Sequence, residues 1–183
     1  MERSLTLISL FAALIAALGL IPSLTLLSGI PITAQSMGIM LCGTVLGAKR
    51  GAMAVGLFLI LVALGLPLLA GGRGGLGVFT TPWAGYLFGF PIAAFATGWL
   101  TERWRGQNLA LGAALAAILG GMGVLYAIAA PYYMLMTGEG LVASTLKTTV
   151  PFMPGDLIKA VLAGLITQSL ARIRPASVLS RQH

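Results

Sequence analysis

Six apolar runs, at about 5–27, 34–48, 52–70, 83–100, 108–131 and 151–171, take up most of this chain and carry almost no charge. Each approaches the roughly 20 residues that a helix needs to cross a hydrocarbon layer of roughly 30 Å. Only 8% of the 183 residues are charged, against a usual fraction of about 25% in soluble domains. A water-soluble globule cannot solvate its exterior with so little polar surface, and a disordered chain is far less apolar. The glycines follow no three-residue period, which excludes collagen. The sequence therefore predicts an all-α integral membrane protein. It is read as one transmembrane domain over 1–183, a bundle of six transmembrane helices with no room for an extramembrane domain. The first run lacks the cleavage site of a signal peptide and is read as a span.

The cations set the topology. Arg3, Lys49, Arg50, Arg103, Arg105, Arg172, Arg174 and Arg181 fall in one set of connecting segments, eight in all, and only Arg73 and Lys147 in the other. The positive-inside rule places the eight in the cytoplasm, with both termini, in the cytoplasmic (inner) membrane. The outer side then holds segments 28–33, 71–82 and 137–149. The net charge of +7 is explained by this asymmetry and by the lipid bilayer. It forms no basic stripe interleaved with aromatics, so a nucleic-acid partner is rejected.

Several chemistries are excluded. Cys42 is alone, so an internal disulfide or thiolate cluster is ruled out, and the one histidine is the terminal His183. No metal site, cofactor or Ser-His-Asp constellation is expected. The segment from Gly43 to Arg50 has the wrong spacing for a phosphate-binding loop, so no ATPase activity is expected of this chain. Glu2, Glu102, Glu139 and Asp156 offer no adjacent acid pair.

The strongest candidate is Pro154-Gly155-Asp156-Leu157-Ile158-Lys159. Asp156 and Lys159 are i and i+3 on one helix face, in the first turns after a proline that suits a helix start. Ionisable groups within a span are costly and tend to be functional, although a self-satisfied ion pair is the structural alternative. A carboxylate only accepts hydrogen bonds and an ammonium only donates. Together they match a ligand with N–H beside C=O, such as a cyclic urea, an amide or a lactam.

The outer segment 71–77 holds five glycines in seven residues, with Arg73 among them. It is a flexible turn or a backbone-lined cap over a ligand, and the embedded arginine favours the cap, with Gly72 and Gly74 beside the ligand. Tyr86 and Gln35 are further candidates, Gln35 equally suited to bonding a neighbouring helix. Trp83, Tyr132 and Tyr133 read as interfacial aromatics, and Met134, Met136 and Cys42 as packing. In the first span Ala12 and Ala16, like Ala13 and Ala17, have the small-xxx-small spacing of close helix contacts, within the bundle or with another membrane protein.

The ordered set of short motifs resembles the BioY family, the biotin-binding S components of energy-coupling-factor (ECF) vitamin transporters. It comprises Pro31-Ile32-Thr33-Ala34-Gln35-Ser36-Met37-Gly38, Leu46-Gly47-Ala48-Lys49-Arg50-Gly51-Ala52, Gly65-Leu66-Pro67, the glycine segment, Gly85-Tyr86-Leu87-Phe88-Gly89-Phe90 and the 154–159 motif. Ser36-Met37 stands where the family leads one to expect Thr-Leu, and Thr80-Thr81-Pro82 where Leu-Gly-Pro is expected. Neither departure falls on an expected pocket residue. The resemblance implies a six-helix bundle that binds biotin from outside and works with a transmembrane T component and two cytoplasmic ATPase subunits. It implies that Asp156 and Lys159 contact the ureido ring, that the region of Arg73 and Tyr86 contributes to the pocket, and that Ala12 and Ala16 dock the T component. A homodimer is also compatible with it. The alternatives are an S component for another vitamin and a non-catalytic membrane subunit. An intramembrane enzyme is disfavoured by the paucity of acids and histidines.

Overall fold

The computed structural model describes residues 2–21, 24–25 and 31–181, with the side chains of 24–25 and 31–32 left aside. Ser28, in the first outer segment, and His183 lie outside the described residues. The helices are α1 (Glu2–Gly19), α2 (Gln35–Leu46), α3 (Ala48–Ala63), α4 (Ala84–Arg103), α5 (Leu109–Thr137), α6 (Leu141–Thr148) and α7 (Met153–Ile173). Six of them match the six apolar runs, and α6 is an additional short helix in the expected 137–149 connection. By length and composition alone α1 and α5 can each cross a membrane, and α6 and α7 qualify together as a pair bent by 53°.

The helix ends differ from the expected ones for local reasons. The first helix stops at Gly19, not near 27, in a sequence where Pro22 follows shortly. Beyond it, Leu24–Thr25 pairs antiparallel with Pro31–Ile32. The third helix stops at Ala63, not 70, because Gly65 takes φ +102 and Leu66-Pro67 follows. The fifth continues through Pro131 to Thr137, and Gly138 closes it in the left-handed conformation. Its middle, Ala117–Val124, is a π-helical stretch. Between α2 and α3 the chain turns on Gly47 alone, at φ +84, and Glu102 Oε1 accepts the amide of Ala48 at 2.9 Å there.

The interior is built from small residues. Ala54, Ala93, Ala94, Ala113, Ala117, Ala160 and Ala163 are fully buried, with Phe58, Ile15 and Val55 filling the gaps, while Leu119, Leu135, Ile158 and Leu165 point outward. Such an arrangement would be inverted in water. In lipid it lets backbones approach closely, where packing rather than the hydrophobic effect holds helices together. At Gly98 an added Cβ would lie 2.3 Å from the Ala48 nitrogen, so α4 and the start of α3 touch backbone to backbone.

One end of the bundle brings the start of α1 beside the segment that follows α7. Arg3 donates to the Ala176 carbonyl, and Ser180 Oγ donates to the Thr44 carbonyl at 2.6 Å. The segment after α7 folds back in two 3₁₀ turns and buries Val178, Leu179 and Ser180 against this end. The eight-cation set belongs here. The opposite end carries α6, the glycine segment and the candidate site.

Candidate functional site

A cavity of about 140 Å³ opens among α2, α4, α5, α7 and the glycine segment. Its polar floor is Asp156, Lys159 and Ser36; Trp83, Tyr86, Phe90 and Phe152 form an aromatic wall; Arg73, Thr33 and Thr81 also line it.

Asp156 sits in the first turn of α7, which begins at Met153 with Pro154 as its second residue. The positive helix end favours a carboxylate there. Only 4% of Asp156 is exposed. Lys159 Nζ lies 2.8 Å from its Oδ1, as the i, i+3 spacing predicts. The same Oδ1 accepts the Ser36 hydroxyl at 2.9 Å, and Ser36 Oγ in turn accepts from Lys159 Nζ at 3.0 Å. Oδ2 accepts the Tyr126 hydroxyl at 2.7 Å. A charged pair removed from water is tolerated when further hydrogen bonds occupy its remaining lone pairs and protons, and these hydroxyls supply them.

Ser36 and Tyr126 were not among the sequence candidates. Ser36 belongs to the first departure from the family pattern, and Thr81 to the second. Both line the cavity, so the two departures from the family pattern fall at the pocket, although on none of the residues expected there. Ser36 immediately follows Gln35 at a helix start, a signal that was available; Tyr126 lies within an all-apolar run and carried none.

Gln35 is 3% exposed and spends its amide on backbone. Its Nε2 donates to the carbonyls of Leu68 at 2.9 Å and Ile15 at 3.3 Å, and its Oε1 accepts the Ala70 amide at 3.1 Å. It borders the cavity, but its polar atoms tie the glycine segment to α1 and α2. Of its two sequence readings, this geometry gives the neighbour-bonding one.

The glycine segment is a small hairpin. Leu69 and Arg73 exchange backbone hydrogen bonds of 3.0 and 3.3 Å, and Gly71 and Gly72 turn between them at φ +77 and +69. Arg73 Nε donates to the Ala70 carbonyl at 3.2 Å, and Arg73 lines the cavity. Gly72 and Gly74 are not among the lining residues. Gly72 serves the turn; at Gly74 an added Cβ would lie 2.2 Å from the Leu66 carbonyl oxygen, so this glycine lets the hairpin lie on the turn at 64–68. Leu69, Ala70 and Arg73 of this hairpin line the cavity, whereas Gly72 and Gly74 shape the hairpin rather than face the cavity.

Tyr86 donates its hydroxyl to the Thr148 carbonyl at the end of α6. Its ring stacks near Trp83 and lies 5.7 Å from Phe152. Trp83, expected as an interfacial anchor, is part of the cavity wall. On α1, Ala12 is buried in the bundle at 2% exposure and Ala16 is partly buried against the core. The outward pair is Ala13 and Ala17, one residue or about 100° around the helix from the expected one.

A family model described as the BioY family matches residues 2–176. The chain belongs to the BioY family. The biotin transporter BioY of Rhodobacter capsulatus is 49% identical over 189 residues, covering 99% of this chain and 100% of that protein. The biotin transporter BioY of Rhizobium etli is 48% identical over 174 residues, 92% of each chain. The crystal structure of the S-component for biotin from an ECF-type ABC transporter superposes with a TM-score of 0.85 at 32% identity, over 93% of this chain and 92% of that one. With the apolar helices, the likeness to these transporters makes this a membrane protein of the BioY fold.

Proposed function

We propose that this chain captures biotin in the cavity described above and serves as the substrate-binding S component of an ECF-type transporter in the cytoplasmic membrane. The observation that carries the reading is the buried Asp156–Lys159 pair at the cavity floor, which offers an acceptor beside a donor. The ureido ring of biotin presents the complementary N–H and C=O. The aromatic wall suits the apolar body of the ligand, and Arg73 in the lining suits its carboxylate. The names of the relatives support the same ligand.

Biotin binding needs no covalent chemistry from this chain. Work is done by partners: a transmembrane T component, and two ATPases that hydrolyse ATP to drive release inward. The small outward residues Ala13 and Ala17 on α1, rather than Ala12 and Ala16, then form the docking face for the T component. The eight-cation end faces the cytoplasm, so the cavity opens outward.

The deciding experiment is a calorimetric titration of the purified protein with biotin, beside thiamine and riboflavin. Saturable binding of biotin alone is expected. Binding of another vitamin in its place, or of none, overturns the proposal.

A further inference from the structure

The hydrogen-bonding capacity of the floor can be counted. A carboxylate offers about four lone-pair positions. Both of those on Asp156 Oδ1 are taken, by Lys159 at 2.8 Å and Ser36 at 2.9 Å, and Tyr126 takes one on Oδ2 at 2.7 Å. A single acceptor position remains, on Oδ2. An ammonium has three N–H donors. Two of those on Lys159 point to Asp156 and to Ser36 at 3.0 Å, which leaves one among the described residues. The two charged groups therefore present one acceptor and one donor to the cavity, not the several each has in isolation.

Resting on the reading of this site as one for a ureido ring, we propose that Ser36 and Tyr126 are positioning residues that restrict the pair to one acceptor and one donor, so that it selects a single edge with N–H beside C=O. Ser36, from α2, bridges both partners and aims the remaining Lys159 proton. Tyr126, from α5, blocks the second position of Oδ2. A ligand with an extra donor in place of its carbonyl meets an ammonium with no acceptor and finds no second acceptor on Asp156. Buried polar groups left unpaired are what make such sites selective.

The test compares biotin with iminobiotin, whose cyclic guanidine is protonated at neutral pH so that a donor-only NH₂⁺ replaces the urea oxygen, by titrating the parent, Tyr126→Phe, Ser36→Ala and Ser36→Thr. The parent should prefer biotin. Tyr126→Phe opens a second acceptor on Oδ2, and the biotin-to-iminobiotin preference should fall about tenfold, one hydrogen bond to a charged group. Ser36→Ala should weaken biotin about tenfold, whereas Ser36→Thr, which keeps the hydroxyl, should bind like the parent. Equal factors on both ligands in Tyr126→Phe, or Thr as damaging as Ala at position 36, overturn the inference while leaving biotin capture standing. Should Tyr126→Phe fail to fold, the Ser36 comparison decides. A parent that does not bind biotin removes the functional reading and this inference together.

Discussion

Asp156 and Lys159 are the residues whose removal should be felt most directly. Asp156→Asn keeps the size but turns one acceptor oxygen into a donor, amid three donors already aimed at the group. A buried hydrogen bond to a charged group is worth about 1.5–3 kcal/mol, so biotin affinity should fall at least ~10-fold. Lys159→Met keeps the stem and leaves the carboxylate buried with hydroxyl partners alone, which should cost as much or more. Titration of both variants, with thermal unfolding measured without ligand, separates recognition from folding. Variants that fold and bind like the parent would make the pair mere packing. The pair was legible in the sequence because i, i+3 neighbours meet on any helix. Its hydroxyl partners were not, since Ser36 and Tyr126 lie 120 and 30 residues from Asp156 and only helix packing brings them to it.

Among the elements, the 69–75 hairpin couples most closely to the site. Gln35 fastens it at Leu68 and Ala70, and Gly74 lets it settle on Leu66. A Cβ at 74 meets a backbone oxygen at 2.2 Å, which a side-chain rotation cannot relieve. Gly74→Ala should therefore shift the hairpin, lower thermal stability and weaken biotin binding several-fold. Gly77→Ala, where an added Cβ meets nothing within 4 Å, should behave as the parent in both measurements. Equal behaviour of the two variants would detach the hairpin from the site. The sequence marked this segment as irregular through its glycine content, but not which glycine turns, which permits close approach and which borders the ligand. Those roles depend on what lies opposite each position.

For the molecule as a whole, the cation asymmetry yields a topology that thiol labelling tests. A cysteine placed at Glu139 should react from outside the cell, and one at Lys49 should not; Cys42 is buried and does not compete. The reverse pattern would invert the bundle and close the cavity to external biotin. Docking on α1 is tested in the assembled transporter. Ala13→Leu should reduce co-purification of the T component with little change in thermal stability, whereas Ala12→Leu should destabilise the isolated bundle, since it is overpacked inside it. If Ala13→Leu assembles normally, the partner lies on another face.

The apolar runs, the sidedness of the cations and the acid–base pair of α7 were all present in the chain as local patterns, because each depends on neighbours within a few residues. The rotation of each helix about its axis was not. In a soluble helix the apolar stripe reveals the inward face. Here both faces are apolar, and small residues inside are distinguished from large ones outside only after the helices pack. The choice between Ala12 and Ala13, the anchoring role of Gln35 and the arrival of Tyr126 at Asp156 all follow from that rotation, which close backbone contacts such as Gly98 against Ala48 set across the bundle.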